Sequence, residues 1–262
     1  MILTDTHTHL YYETDAEKQS ELMKRCHENY VERLFLPNVN VRSIPMVMDL
    51  VSRFPENCFP MLGLHPCDVK AEATDEVSAF RDELSAIESA LTQHRIYAVG
   101  EIGIDLYWDK TTLEIQREAF RTQIQWAKRL GLPIVIHCRE AFEEVYEVLL
   151  QEKGPDLRGI FHCFTGSLEE AQKVIDLGFY LGIGGVVTYK NSGLDKVVAQ
   201  LDLKHLVLET DSPYLSPVPF RGKPNESSYL FHVAQKVGDI LHKPVEVVAE
   251  ITTANSRAIF GV

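Results

Sequence analysis

The stretch Ala98-Val99-Gly100-Glu101-Ile102-Gly103-Ile104-Asp105 decides how the rest of this chain is to be read. An apolar run from Ile96 to Val99 ends in a carboxylate flanked by two glycines. A strand that carries Glu101 into the interior must give its charge a partner, because an unpaired buried carboxylate is very costly. Other short apolar runs end in the same way, on His7 and His9, His65, His137, His162 and Asp211. We expect these ends to meet around divalent metal.

The fold expectation follows from what surrounds each run. Strands are expected at 2–9, 34–36, 59–64, 96–102, 133–137, 159–162, 179–183 and 205–211, each followed by a helical stretch. The helices expected after them cover 17–30, 43–54, 74–93, 111–130, 141–151, 167–178 and 191–200, then 225–241 and 244–260. Val77, Phe80, Leu84, Ile87 and Leu91 repeat at three and four, the helical period. Thr111-x-x-Glu114 and Ser167-x-x-Glu170 have the form of capping boxes, Gly131 that of a helix stop, and Asn225 that of a cap. Eight strands alternating with helices fit a closed parallel (β/α)8 TIM barrel, one domain over 1–262; 262 residues suit that fold, which typically takes about 250. An open doubly wound sheet is the rival, and it lacks the glycine-rich phosphate fingerprints expected after its strands.

Composition limits the function. Thirty-eight acidic residues against 26 basic ones give a formal charge of −12, which argues against broad electrostatic capture of nucleic acid. It leaves open a phosphate substrate held by bound cations, whose charge dominates a local site. No run approaches the roughly 18 apolar residues of a membrane span, the N-terminus has no basic-then-apolar signal, and five scattered cysteines contain no C-x-x-C. The expectation is a reduced, cytoplasmic protein with no membrane partner.

In a barrel the working residues stand at the carboxyl ends of strands, where five of the ten histidines fall here. Residues two apart on a strand share a face, so Asp5, His7 and His9 should point the same way, although H-x-H alone could equally be two surface histidines. Glu101 has two oxygens and can bridge two cations: His7, His9 and Glu101 could hold one, and Glu101, His137 and His162 the other. Asp211 could bind a cation while accepting a proton from the attacking water, so Asp211 and Glu101 are the catalytic candidates. Two divalent ions against Glu101 and Asp211 leave the site positive by about 2, a sign that suits a phosphate diester. Imidazole with carboxylate suits Zn, Mn, Fe or Ni, while Mg prefers oxygen; one or two ions are expected, of unspecified identity.

At this point the sequence resembles a known family. Asp5-Thr6-His7-Thr8-His9-Leu10, Gly63-Leu64-His65-Pro66 and the Gly100–Asp105 run look like those of the TatD-type metal-dependent deoxyribonucleases. So do Pro133-Ile-Val-Ile-His137-Cys-Arg139, Phe161-His162-Cys163-Phe164-Thr165-Gly166 and Glu209-Thr210-Asp211-Ser212-Pro213-Tyr214-Leu215. The likeness runs from the first strand to the last helix. It implies a TIM barrel with a one- or two-metal site that hydrolyses DNA phosphodiesters, with 3′ to 5′ preference on single-stranded or frayed ends. Phe220–Glu226 is similar to the family's substrate-side loop, which departs from the pattern at Ser227, where a proline is usual.

The remaining candidates have two readings each. His65 could contact phosphate or water, or cap its own loop; Arg221 could clamp a phosphate through its planar fork, or be a loop charge. Glu209 shares a face with Asp211 and could orient a ligand or be satisfied in the interior. Tyr107, Trp108, Phe164, Tyr189 and Phe220 could stack bases or pack loops, and Cys138 and Cys163 should turn toward the helices. His27, His94, His205, His232 and His242 receive no role. The rival functions are an amidohydrolase, lactonase or aminoacyl-tRNA deacylase on the same frame, and a non-catalytic metal-binding protein. Amidohydrolase-type relatives often carry a carbamylated lysine on the fourth strand, where this chain has Glu101.

Overall fold

A computed structural model describes residues 1–75 and 77–262. Eight parallel strands, each hydrogen-bonded to the next in chain order, form one sheet: β1 (Leu3–Asp5), β2 (Val31–Pro37), β3 (Cys58–Leu62), β4 (Ala98–Asp105), β5 (Ile134–Arg139), β6 (Gly159–Phe161), β7 (Tyr180–Ile183) and β8 (Leu206–Leu208). The ends meet through backbone bonds from Thr6 to Leu208 (3.0 Å) and from Asp211 to His7 (2.9 Å), and a bridge between Thr8 and Ser212. Around this barrel lie α1 (Ala16–Glu28), α2 (Ile44–Arg53), α3 (Phe80–Gln93), α4 (Leu113–Leu130), α5 (Phe142–Gln151), α6 (Leu168–Asp176), α7 (Leu194–Val198), α8 (Leu230–Leu241) and α9 (Val245–Phe260). Among the described residues no helix is long and apolar enough to cross a membrane.

The barrel interior is layered. Phe35, Met61, Ala98, Val135, Ile160 and Val207, one from each of six strands, pack at one end with Ile259 and Phe260 of α9, and the Phe35 and Phe260 rings stack at 3.8 Å. Two residues further along the same inward stripes come His137, His162 and Glu209, so the apolar plug is the floor of a polar layer. On β4 simple alternation from Ala98 would turn Glu101 outward. A bulge corrects this: Val99 pairs with Ile134 and Ile102 with Ile136, so β4 spends one residue more than β5 and its phase reverses. Glu101, Gly103 and Asp105 thereafter share the inward face, with Gly103 opposite His137 and Asp105 opposite Arg139. At Gly103 (φ +146°) a Cβ would lie 2.0 Å from the His137 carbonyl oxygen, so only glycine allows β4 and β5 to approach here.

Four local expectations fail for identifiable reasons. The first strand stops at Asp5, and the Asp5 carboxylate, in place of facing the metal site with the His7 and His9 rings, accepts the N–H groups of Thr210 (2.9 Å) and His7 (3.3 Å) and pairs with the Thr210 hydroxyl (2.6 Å). The helix expected over 74–93 begins at Phe80: Val77 donates its N–H to Thr74 Oγ1 and Ser78 to the Glu83 carboxylate, so this stretch is a loop, and position 76 lies outside the described residues. Asp109 takes the N–H of Thr111 (2.8 Å), capping a 3₁₀ turn that leads into α4, in place of the Thr111 box. Asn225 does not cap α8; its amide donates to Thr210 O (2.8 Å) and Tyr214 O (2.7 Å), pinning the proline-rich segment after β8. The Ser167–Glu170 capping box and the left-handed stop at Gly131 (φ 67°) form as the sequence indicated.

Candidate metal centre

Glu101, 2% exposed, stands at the centre of the polar layer. One oxygen, Oε2, faces His7 Nε2 (3.2 Å) and His9 Nε2 (3.7 Å). The other, Oε1, faces His137 Nδ1 (2.8 Å), His162 Nε2 (3.1 Å) and His65 Nε2 (3.4 Å). Asp211 closes the first side, its Oδ1 3.8 Å from His7 and 3.7 Å from His9. Three groups lie close enough for each to share an ion: His7, His9 and Asp211; His7, Glu101 and His162; His65, Glu101 and His137.

The outer nitrogens fix the inner ones. His9 Nδ1 pairs with the Tyr11 hydroxyl (2.8 Å), His137 Nε2 with Asp105 (2.8 Å) and His162 Nδ1 with Glu209 (3.0 Å). An imidazole whose outer N–H is so engaged turns a lone pair inward, the arrangement that orients metal-binding histidines. His65 has the opposite tautomer: its Nδ1 accepts the Cys67 N–H (3.1 Å), leaving the proton on Nε2, which faces Glu101 and the cavity. His65 therefore caps its own loop and also offers an N–H donor, suited to an anionic oxygen and not to a cation.

The donor set fits a divalent ion. Burial lowers His7 to about 4, helped by repulsion from His162, and lowers His9 to about 3, helped by His7. Two neutral rings then bring their Nε2 atoms within 3.3 Å of each other, either sharing one proton between them or, with both protons on Nδ1, aiming two lone pairs at one point where a cation can sit. Burial alone would raise Glu101, but His65, His7 and His162 outweigh it and hold that carboxyl well below the usual range. Burial would likewise lower His162, yet Glu209 and Glu101 raise it well above its ordinary value; burial also works to lower His137, and its bonds to Asp105 and Glu101 outweigh that and raise it. Asp211 is pushed up to about 8 by burial, with Glu101 and Glu209 adding to the effect against His162.

The cluster opens into a cavity of about 690 Å³ at the carboxyl ends of the strands. Arg221 is not among its lining residues; its guanidinium lies on the Tyr189 ring at 4.1 Å. Cys138 packs on the outer core as expected but also edges the cavity. Cys163 edges it too, because β6 has ended at Phe161 and the left-handed turn at Cys163 (φ 48°) breaks the alternation. Sequence reasoning overlooked Asp105 and Tyr11 as partners of His137 and His9. For Asp105 the signal was available, since it stands four residues from Glu101 on one strand; Tyr11 lies in a 3₁₀ turn, Leu10–Tyr12, past the end of β1, where strand alternation says nothing.

Known proteins resemble this chain in sequence and fold. The sequence profile of the family described as TatD related DNase matches residues 4–261. The chain belongs to that family. Among TatD-family relatives, the metal-dependent hydrolase YabD of Bacillus subtilis is 39% identical over the full length of both chains. The 3′-5′ ssDNA/RNA exonuclease TatD of Salmonella typhimurium is 32% identical over 94% of each. The crystal structure of YJJV, a TatD homologue from Escherichia coli, superposes with a TM-score of 0.90 at 28% identity, covering 99% of this chain and 98% of that one. This protein is accordingly a TatD-family metal-dependent hydrolase built on a (β/α)8 barrel.

Proposed function

We propose that this TatD-family hydrolase removes nucleotides from the 3′ ends of single-stranded or frayed DNA. The observation that carries the reading is the division of donors by Glu101, one oxygen toward His7 and His9, which Asp211 also faces, the other toward His137 and His162. That division supports two cation positions, the first held by His7, His9, Glu101 and Asp211, the second by Glu101, His137 and His162. Their imidazole-rich character favours Zn, Mn, Fe or Ni over Mg. When bound, such ions supply positive charge to the scissile phosphate and acidify the attacking water.

The chain's own residues do the rest. Asp211, half-buried at the cavity wall, orients the attacking water and takes its proton on a carboxylate oxygen. His65 donates its Nε2 proton to a non-bridging phosphate oxygen. Asp105, Glu209 and Tyr11 hold His137, His162 and His9 in register. Arg221, set on Tyr189, supports the loop beside the site.

The experiment is release of mononucleotides from a 3′-labelled single-stranded oligonucleotide, with and without excess chelator. Metal-dependent release, lost in Asp211→Asn while the metal stays bound, is the expected result. Absence of release, with metal-dependent turnover of carboxylic esters or lactones in its place, would transfer the assignment to a small-substrate hydrolase. Full turnover by metal-loaded Asp211→Asn would remove the role given to that carboxylate.

A further inference from the structure

Arg139 ends β5 two residues beyond His137, on the same inward stripe, and is exposed at the cavity wall. Among the described residues lining that cavity it is the single Lys or Arg. Where exposed arginines of this acidic chain do meet a carboxylate they lie on the outer helices, as Arg81 does with Glu118 and Arg129 with Glu88. The Arg139 guanidinium makes no hydrogen bond or ion pair with a described residue. Its Cζ lies over Tyr107, 3.7 Å from the ring centroid, and 5.6 Å from that of Trp108. Its donors are thus pre-positioned by ring contacts and chemically unspent, the condition in which a planar guanidinium best grips a phosphate. Trp108 is 73% exposed, and its one ring neighbour is Tyr107, edge-on at 4.8 Å. A large indole that open to water at the wall of a catalytic cavity contributes almost nothing to packing, and its face is free.

We propose that Arg139 and Trp108 form a strand subsite beside the metal centre: Arg139 takes a backbone phosphate next to the scissile one, and Trp108 stacks the base attached to it. This rests on the nuclease reading above and deepens it, because a base can reach the Trp108 face only when it is out of a duplex stack. Single-stranded nucleic acid is therefore the substrate class. Small diesters span the metal centre alone and draw nothing from the subsite.

Trp108 and the buried Trp126 are the only tryptophans, so emission quenching on rapid mixing with decathymidylate monitors the subsite without turnover. The second readout is the preference, as a ratio of kcat/KM, for decathymidylate over bis(4-nitrophenyl) phosphate. We expect quenching in the wild type and none in Trp108→Phe. Trp108→Ala should lower the preference by between about 5-fold and about 150-fold, the range of one base stack, mainly through KM. Arg139→Gln should lower the slope of log KM against log salt by about 0.7, the signature of one lost phosphate contact on a single strand, which a packing role would not move. Absence of quenching, or preference and salt slope kept at wild-type values in both variants while the strand is still degraded, overturns the subsite. Quenching without nucleotide release from any strand leaves the subsite standing and removes the nuclease reading.

Discussion

Glu209 offers the sharpest single perturbation. Its side chain is fully buried; Oε1 accepts the Cys163 N–H (2.6 Å) and the His162 Nδ1–H (3.0 Å), while Oε2 has no partner. Room for Oε2 exists because residue 182 is glycine: a Cβ there would lie 2.3 Å from it. Glu209→Gln keeps the shape and removes the charge that, with Glu101, holds His162 well above its ordinary pKa. The new amide also puts an N–H pair where no acceptor stands, at a stability cost of about 1 to 3 kcal/mol. Losing the partner that orients a metal-binding histidine typically costs about 10- to 100-fold in affinity or activity, or about 1.4 to 2.7 kcal/mol. We expect that loss in titrations with Zn²⁺ or Mn²⁺ and in turnover, with the fold retained by circular dichroism. Gly182→Ala, which displaces the carboxylate without changing its chemistry, should move both quantities in the same direction. Metal affinity and turnover within about twofold of wild type in a folded Glu209→Gln protein would refute the positioning argument.

Chelator should lower the melting temperature of the metal-loaded protein. An ion at about 100 times its Kd adds about 2.7 kcal/mol, worth about 5 to 11 °C in a chain of this size, and an unchanged thermal scan would speak against a metal-stabilised layer. Phe260→Ala removes a ring stacked on Phe35 in the barrel floor and should cost about 3 to 5 kcal/mol in urea denaturation, with turnover per folded molecule kept; a loss below about 1 kcal/mol would mean the floor is not packed as described. Burial raises the Asp5 carboxyl from 3.8 to about 7, against hydrogen bonds from Thr210 that lower it. The folded state therefore keeps a proton there that the unfolded chain releases, so stability falls as pH rises from about 4 through about 7. Asp5→Asn should flatten that part of the stability–pH curve, and an identical slope in the variant would contradict the assignment.

The barrel and the donors at its rim were legible because both follow from periodicity. Short apolar runs alternating with helical stretches dictate a parallel sheet, and a parallel barrel collects the residues that end its strands at one rim. Less legible was anything that depends on phase or on partners distant in sequence. The bulge that turns Glu101 inward cannot be read from 98–105 alone, since it exists only relative to β5. Asp5 was grouped with His7 and His9 by strand alternation, but the strand ends at Asp5, and its real partner, Thr210, lies across the barrel closure. Asn225 has the chemistry of a cap, yet its Oδ1 accepts the Glu226 N–H, its amide N–H groups go to two loop carbonyls, and α8 begins only at Leu230. Arg139 sits inside a recognisable motif, and nothing local shows whether an arginine has found a carboxylate. Only the assembled fold shows that this one has not.

The central claim is that Glu101 is the shared ligand around which the strand ends gather. Metal content per chain after equilibrium dialysis, measured side by side for the wild type and Glu101→Gln, addresses it most directly. The account predicts stoichiometric divalent metal, one or two ions per chain, in the wild type and its loss from a folded Glu101→Gln protein. Equal metal content in the two would contradict it.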